Sequence, residues 1–298
     1  MSIRITDYGM DAVASTNPVT TSSAIPSFEN WHMYTAVGTG TSAPATSDTG
    51  LDAEVARTNS NGGFSMQESK EFDSVANVIR YTSTTYRVFN FTSAYNLTEY
   101  GHFTSSSGAN AVFRDLFRQD PNDPNSQAVV ISVQDGDQLQ IIKIFVLEVD
   151  WSDIAKTVTF TVPDGTDLSF PGTQGFGGTD TTYLDRFLRS LWPGDGERRY
   201  ICLLAGTQPT DRTQAVNATG AACVTANSLP YTAGSYTRRF TGTFGTSSAN
   251  ATWSGLAFTG MYLLDNIAFR FVFDTADSFT KEDTHTLELY LDVSWSRG

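Results

Sequence analysis

The chain carries one pattern twice, so its fold must build the same unit two times. Asn110 to Phe117 (NAVFRDLF) returns as Asn266 to Phe273 (NIAFRFVF), with Asn, Phe, Arg and Phe recurring at an offset of 156 residues (266 − 110). Upstream, Asn96, Thr98 and Gly101 align with Asn250, Thr252 and Gly255 at an offset of 154 (250 − 96). Downstream, Leu147 to Ser152 (LEVDWS) aligns with Leu291 to Ser296 (LDVSWS) at an offset of 144 (291 − 147). Three blocks in one order exceed coincidence. A longer first-copy loop around Asp120 to Asn125 accounts for the falling offset, because loops tolerate insertion.

The content of each unit follows from periodicity. Hydrophobic residues make up 40% of the chain and charged ones only 17%, and short Thr-, Tyr-, Phe- and Val-rich runs alternate between turn residues. That profile predicts an all-β fold of antiparallel sheets, each with one buried and one solvated face. Leu287, Leu289, Leu291, Val293 and Trp295 are expected inward, against Glu288, Tyr290, Asp292 and Ser294 outward. Likewise Tyr86, Val88 and Asn90 share one face of a strand, and Arg87, Phe89 and Phe91 the other. A short helix is expected to open each copy. In the first it follows Thr6 and Asp7; in the second, Tyr183, Leu184, Phe187, Leu188 and Leu191 form one helical face before the Pro193-Gly194 stop. The expectation is two tandem β-sandwich-like modules, residues 1–165 and 166–298, joined by a Gly- and Pro-rich linker over about 163–178.

Charge narrows the partners. A net charge of −13 and a pI near 4.5 argue against nucleic acid, which demands clustered Lys and Arg. No apolar run reaches the roughly 18 residues of a membrane helix, and the first residues form no apolar signal core, so synthesis as a soluble cytoplasmic product is expected. Cys202 and Cys223 then read first as two small buried hydrophobes, with a disulfide between them as the alternative. His32, His102 and His285 lack a second His or Cys at ligand spacing, and Asp120 to Asn125 lacks the Gly and terminal Glu of an EF-hand loop. The glycines from Gly172 to Gly178 precede a helix, but no Gly-Lys-Ser/Thr follows. No catalytic, cofactor-binding or metal-binding residue is singled out.

The repeated Phe-Arg pair is the more informative candidate. Arg114 and Arg270 fall on the strand face opposite their flanking phenylalanines, which reads first as core phenylalanines with an exposed arginine; the alternative pairs each arginine with carboxylates within the module or on a neighbouring chain. Glu99 and Trp253, which stand at matched places in the two copies, join them as candidate inter-subunit contacts.

Several motifs of the first copy resemble tailed-bacteriophage virion proteins of the tail-fibre, collar and neck kind. They are Ile5-Thr6-Asp7-Tyr8-Gly9, the turn from Gly38 through Gly40 to Pro44, Leu51-x-x-Glu54-x-x-Arg57, Glu99-Tyr-Gly101 and Phe113-Arg114. The second copy keeps them in part: Gly206 to Pro209 is shortened, and Trp253-Ser-Gly255 replaces Glu99-Tyr-Gly101. The resemblance implies a non-enzymatic virion protein that works as a ring or trimer of identical chains against other virion proteins. Two similar modules per chain would let six chains face a twelve-fold partner. The alternative is a fibre or spike module that binds host saccharide, with Trp31, Trp253 or Tyr95 as stacking platforms.

Overall fold

The computed structural model describes residues 5–15, 31–123, 125–150, 152, 154–161, 167–176, 199–209, 216–217, 219–259, 267–274 and 277–297. Helix α1 (Asp7–Ser15) opens the chain, capped by the Thr6 hydroxyl, which accepts from the Gly9 amide at 2.9 Å. Nine strands follow: β1 (Tyr34–Gly38), β2 (Glu54–Thr58), β3 (Gln67–Asp73), β4 (Val78–Asn90), β5 (Tyr95–Leu97), β6 (Glu99–Phe103), β7 (Ala111–Leu116), β8 (Ile131–Val133) and β9 (Gln138–Asp150). A hairpin, β10 (Ile154–Thr161) and β11 (Asp167–Phe176), leads to a second set of nine. These are β12 (Tyr200–Leu204), β13 (Ala222–Thr225), β14 (Asn227–Ser228), β15 (Thr237–Phe244), β16 (Thr252–Trp253), β17 (Gly255–Thr259), β18 (Ile267–Phe273), β19 (Phe279–Thr280) and β20 (Leu287–Ser294). The fold is all-β and antiparallel throughout the described pairings. The second helix expected from Tyr183 to Leu191 lies outside the described residues.

The strand order of the first set recurs in the second. The sheet β2-β1-β6-β7 has its counterpart in β13-β12-β17-β18, β3-β4-β9 in β14-β15-β20, and β5-β8 in β16-β19. Even an irregularity is repeated: the register shifts between His102 and Phe103 opposite Ala111, and between Phe258 and Thr259 opposite Ile267. This register corrects the sequence alignment. Arg114 lies opposite Gly101, and Arg270 opposite Ala257, so Gly101 corresponds to Ala257 while Gly255 takes the place of Glu99. By the same pairing Gly38 corresponds to Leu204, two residues before the Gly206 that the turn motif suggests.

The expected linker is another correction. Residues 167–176 form β11, hydrogen-bonded to β10 on one side and β18 on the other. Its glycine content reads as a linker, yet Gly172 is needed inside the sheet, where a Cβ would collide with the backbone of Val272. The cysteines differ as well. Cys202 and Cys223 face each other across β12 and β13 with a Cα–Cα distance of 4.1 Å and are joined by a disulfide. A compartment argument cannot see cross-strand geometry, and here the two Cβ atoms are already paired by register.

Alternation along the long strands divides the interior. On β4 the inward residues are Ile79, Tyr81, Ser83, Thr85, Arg87 and Phe89. Phe89, with Leu139 and Ile141 of β9, packs against Val37 and Tyr100 in the sandwich core of the first half. Ile79 and Tyr81, with Leu147 and Val149, join instead a larger core containing Ile201, Leu203, Phe240, Phe258 and Phe271 of the second half. One sheet therefore serves two cores. Among the described residues no helix is long and apolar enough to cross a membrane.

Candidate functional site

Three of the resemblance motifs, the turn after Gly38, Glu99-Tyr-Gly101 and Phe113-Arg114, meet at the Arg114 side chain. Glu99 at the start of β6 is fully buried, and its carboxylate accepts from the amides of Gly40 (2.9 Å), Ala53 (2.9 Å) and Asp52 (3.2 Å) and from Arg114 Nε (2.9 Å). Only a residue without a side chain fits beside it: a Cβ on Gly38 would lie 2.6 Å from Glu99 Oε1. The guanidinium continues outward, donating at 2.7 Å from Nη1 to Asp48 and at 2.7 Å from Nη2 to Asp52, and at 3.1 Å to the Ser42 hydroxyl. Burial opposes the charge on Arg114, but its bonds to Asp48 and Glu99 outweigh this and raise its pKa further. The Ser42 hydroxyl, with Arg114 assisting, holds Asp52 below the usual carboxylate value.

Glu54 and Arg57 form a second pinned unit. Arg57 grips Glu54 through two bonds, 2.9 and 2.6 Å, donates to the carbonyls of Ser105 and Gly108, and lies 3.6 Å above the Phe103 ring. Leu51 packs on Ala36, Phe103 and Ala111 below them. In the second half, the Ala36–Arg57 pair of β1 and β2 corresponds to Cys202–Cys223 of β12 and β13. One edge strand is held by a guanidinium and the other by a disulfide.

The four expected contact residues are all interior. Arg114 is 1% exposed, Glu99 0%, Arg270 2% and Trp253 2%, so none presents a side chain to a neighbouring chain. The physical reason is cover: Glu99 and Arg114 lie on the sheet face opposite Val37 and Tyr100, where the 40–53 segment closes over them and supplies the arginine's carboxylates, Arg270 shares the matching face with Cys202 and Ala257, and Trp253 packs into the larger core. The aromatic platforms are lost in the same way. Trp31 and Trp253 are buried, with their indole N–H groups donating to the carbonyls of Gly9 (2.8 Å) and Ala249 (3.0 Å). Tyr95 alone of the three is exposed.

Sequence reasoning missed a polar belt between the two cores. Ser83, Thr85 and Arg87 of β4 and Lys143 of β9 turn inward there, toward His32 and toward the Thr35–His102 pair, whose hydroxyl and Nδ1 are 3.1 Å apart. The Lys143 ammonium lies 3.1 Å from His32 Nδ1 and also donates to the His32 carbonyl. An ammonium can only donate, so Nδ1 accepts and the imidazole proton sits on Nε2, which finds no acceptor among the described residues. Burial first, then the charges of Lys143 and Arg87, holds His32 well below 6.5. Burial and the same two cations, with His32, do so for His102. Both imidazoles are neutral at neutral pH. The alternation rule had placed Arg87 with Phe89 and Phe91, and that shared face was the one signal available.

The chemistry open to these groups is limited. Asp48, Asp52 and Glu99 are each committed to Arg114, and the Asp120 loop spends its carboxylates on turns, with Asp120 accepting from the Asn122 amide and Asp123 from the Asn125 amide, both at 2.9 Å. Among the described residues no group of three or more His, Cys, Asp or Glu side chains is arranged to hold a metal ion. Comparison of the chain with protein-family models, with curated proteins and with solved structures found no match.

Proposed function

We propose that this chain is a non-enzymatic structural component of a bacteriophage particle, an adaptor that joins copies of itself and other virion proteins at the neck, collar or tail. The observation that carries the reading is the fate of the motif residues. Gly38, Gly40, Leu51, Glu99 and Arg114 are spent on fixing the 39–53 loop to its sheet, and Glu54 and Arg57 on fixing β2 to the 105–108 turn, the use expected where shape is the product. The recurring strand order supports a tandem of two equivalent modules that offers each chain's neighbours two related surfaces. An acidic exterior suits a component past which DNA moves without adhering. Reconstruction of the purified particle, with this chain's density traced, tests the proposal. Density for both modules, each against a neighbour, is the expected result; absence of the chain from intact particles by mass spectrometry overturns it.

A further inference from the structure

The two halves carry like sheets whose outer faces differ in one respect. At one end of each sheet a cross-strand ion pair recurs, Arg80 with Glu148 on β4 and β9 and Arg239 with Asp292 on β15 and β20. Beyond it the sequences part. Register aligns Val146 with Tyr290, Ile144 with Glu288 and, one step past the end of β20, Ile142 with Thr286. In the second half Glu288 accepts from Thr241 and the Arg239 guanidinium lies against Tyr290, so that face is polar. The first half instead turns apolar groups to solvent: Ile144 is 63% exposed, Ile142 56% and Phe64 47%, with Phe64 stacked on Tyr86 across from Ile142.

We infer that this outer face of β4 and β9 is a self-association surface, occupied by the same face of a second copy. From Gln140 to Glu148, at about 3.3 Å per residue, it is about 30 Å long, and with the row from β9 to Phe64 it is about 15 Å wide. Two such faces bury on the order of 1,000 Å² together, the threshold for a specific contact. Charge selects the arrangement. Glu71, Glu148 and Asp150 lie at one end, where Arg80, paired with Glu148 and 3.9 Å from Glu71, offsets one of the three charges and leaves the end net acidic, and the amides of Asn90, Gln138 and Gln140 lie at the other. A parallel overlay sets carboxylate on carboxylate. An antiparallel overlay about a two-fold axis near Ile144 sets each acidic end on the partner's neutral amides, which can donate to it, and brings Ile142 against Val146.

The inference makes no use of the virion reading. Sedimentation equilibrium of the full chain across a concentration series tests it, beside the variant Ile142→Thr/Ile144→Glu, which installs the second half's residues. The wild type is expected to dimerise and the variant to do so about a hundredfold more weakly or worse. Because both positions are exposed, the variant keeps its fold, and its circular dichroism melt checks this. Independently, Ile144→Cys is expected to form an inter-chain disulfide on mild oxidation, and Glu288→Cys, at the aligned place, is not. A wild type that stays monomeric at every soluble concentration, whether another protein covers the face or none does, overturns the proposal. So does a dimer that the double variant leaves unchanged.

Discussion

At the scale of single residues, the molecule places charge where charge is costly and then satisfies it locally. Glu99 is the clearest instance, since three backbone amides and a guanidinium converge on a carboxylate with no access to water. Removing one partner of such a pair leaves the other buried and unmatched. Glu99→Ala is therefore expected to destabilise the chain by about 3–5 kcal/mol in urea unfolding, and Glu99→Leu with Arg114→Met to recover much of the loss. A single-variant cost under about 1 kcal/mol would contradict the network's role. His32 makes the opposite kind of statement, because it is buried neutral beside Lys143 and Arg87, with His102 nearby. Its folded pKa lies below the unfolded value of 6.5, so the unfolded chain binds the proton first as pH falls. Stability from this group is complete above pH 6.5 and declines below it, at about 1.4 kcal/mol per pH unit until the folded value is reached. Urea midpoints at pH 7 and pH 5 check the slope, and His32→Gln is expected to reduce it, with His102, held low in the same way, supplying the remainder.

At the scale of elements, the same structural task is met by different chemistry in the two halves. The edge strand β2 is held by Arg57 and the edge strand β13 by the Cys202–Cys223 disulfide at the corresponding pair. The cross-link closes a segment of sequence separation 21, which by loop-closure entropy contributes about 3 kcal/mol. Reduction is expected to lower stability by about that amount and to raise amide exchange in β13 before β2. Equal exchange in both strands on reduction would show the disulfide to be idle. These elements also mark how far sequence reading reached. The closing strand β20 was legible in full, because Leu289 inward and Tyr290 and Asp292 outward follow from period two alone. The repeated blocks located strand pairs but slipped by two at Gly101, since Gly101 and Gly255 are each pressed to within 2.8 Å of a facing carbonyl where a Cβ would stand, yet at register positions two apart, with Ala257 opposite Arg270 as Gly101 is opposite Arg114. Strand β11 was hidden by Pro171 and its glycines, which mark loops in general and close backbone packing here. The Arg114 network was illegible in its partners, for Asp48 and Asp52 reach it from a loop 66 and 62 residues away, a distance no periodicity spans.

At the scale of the whole molecule, the repeat does not produce two beads on a string. The described ends of the chain are tied together through α1: Asp11 accepts from Tyr231 and the Gly234 amide, Arg238 donates to the Ala14 carbonyl, Trp295 to the Met10 carbonyl and Arg297 to the Ile5 carbonyl. The Ala14 carbonyl in the last turn of the helix is thereby satisfied by Arg238 of β15. The larger core draws Ile79 and Tyr81 of the first half together with Phe240 and Phe258 of the second. Deleting the second half would thus expose one end of the β4–β9 sheet while leaving the Phe89 core at its other end intact. Residues 1–152 expressed alone are expected to retain β-structure by far-ultraviolet circular dichroism, to bind a hydrophobic dye strongly, and to unfold at several kcal/mol lower stability than the full chain. The full chain is expected to unfold in one transition, with tryptophan fluorescence and circular dichroism coincident, because a shared core couples the halves. Two separated transitions, with the isolated half reproducing the first of them, would mean that the Ile79–Tyr81 contact contributes little and that the modules fold as independent units.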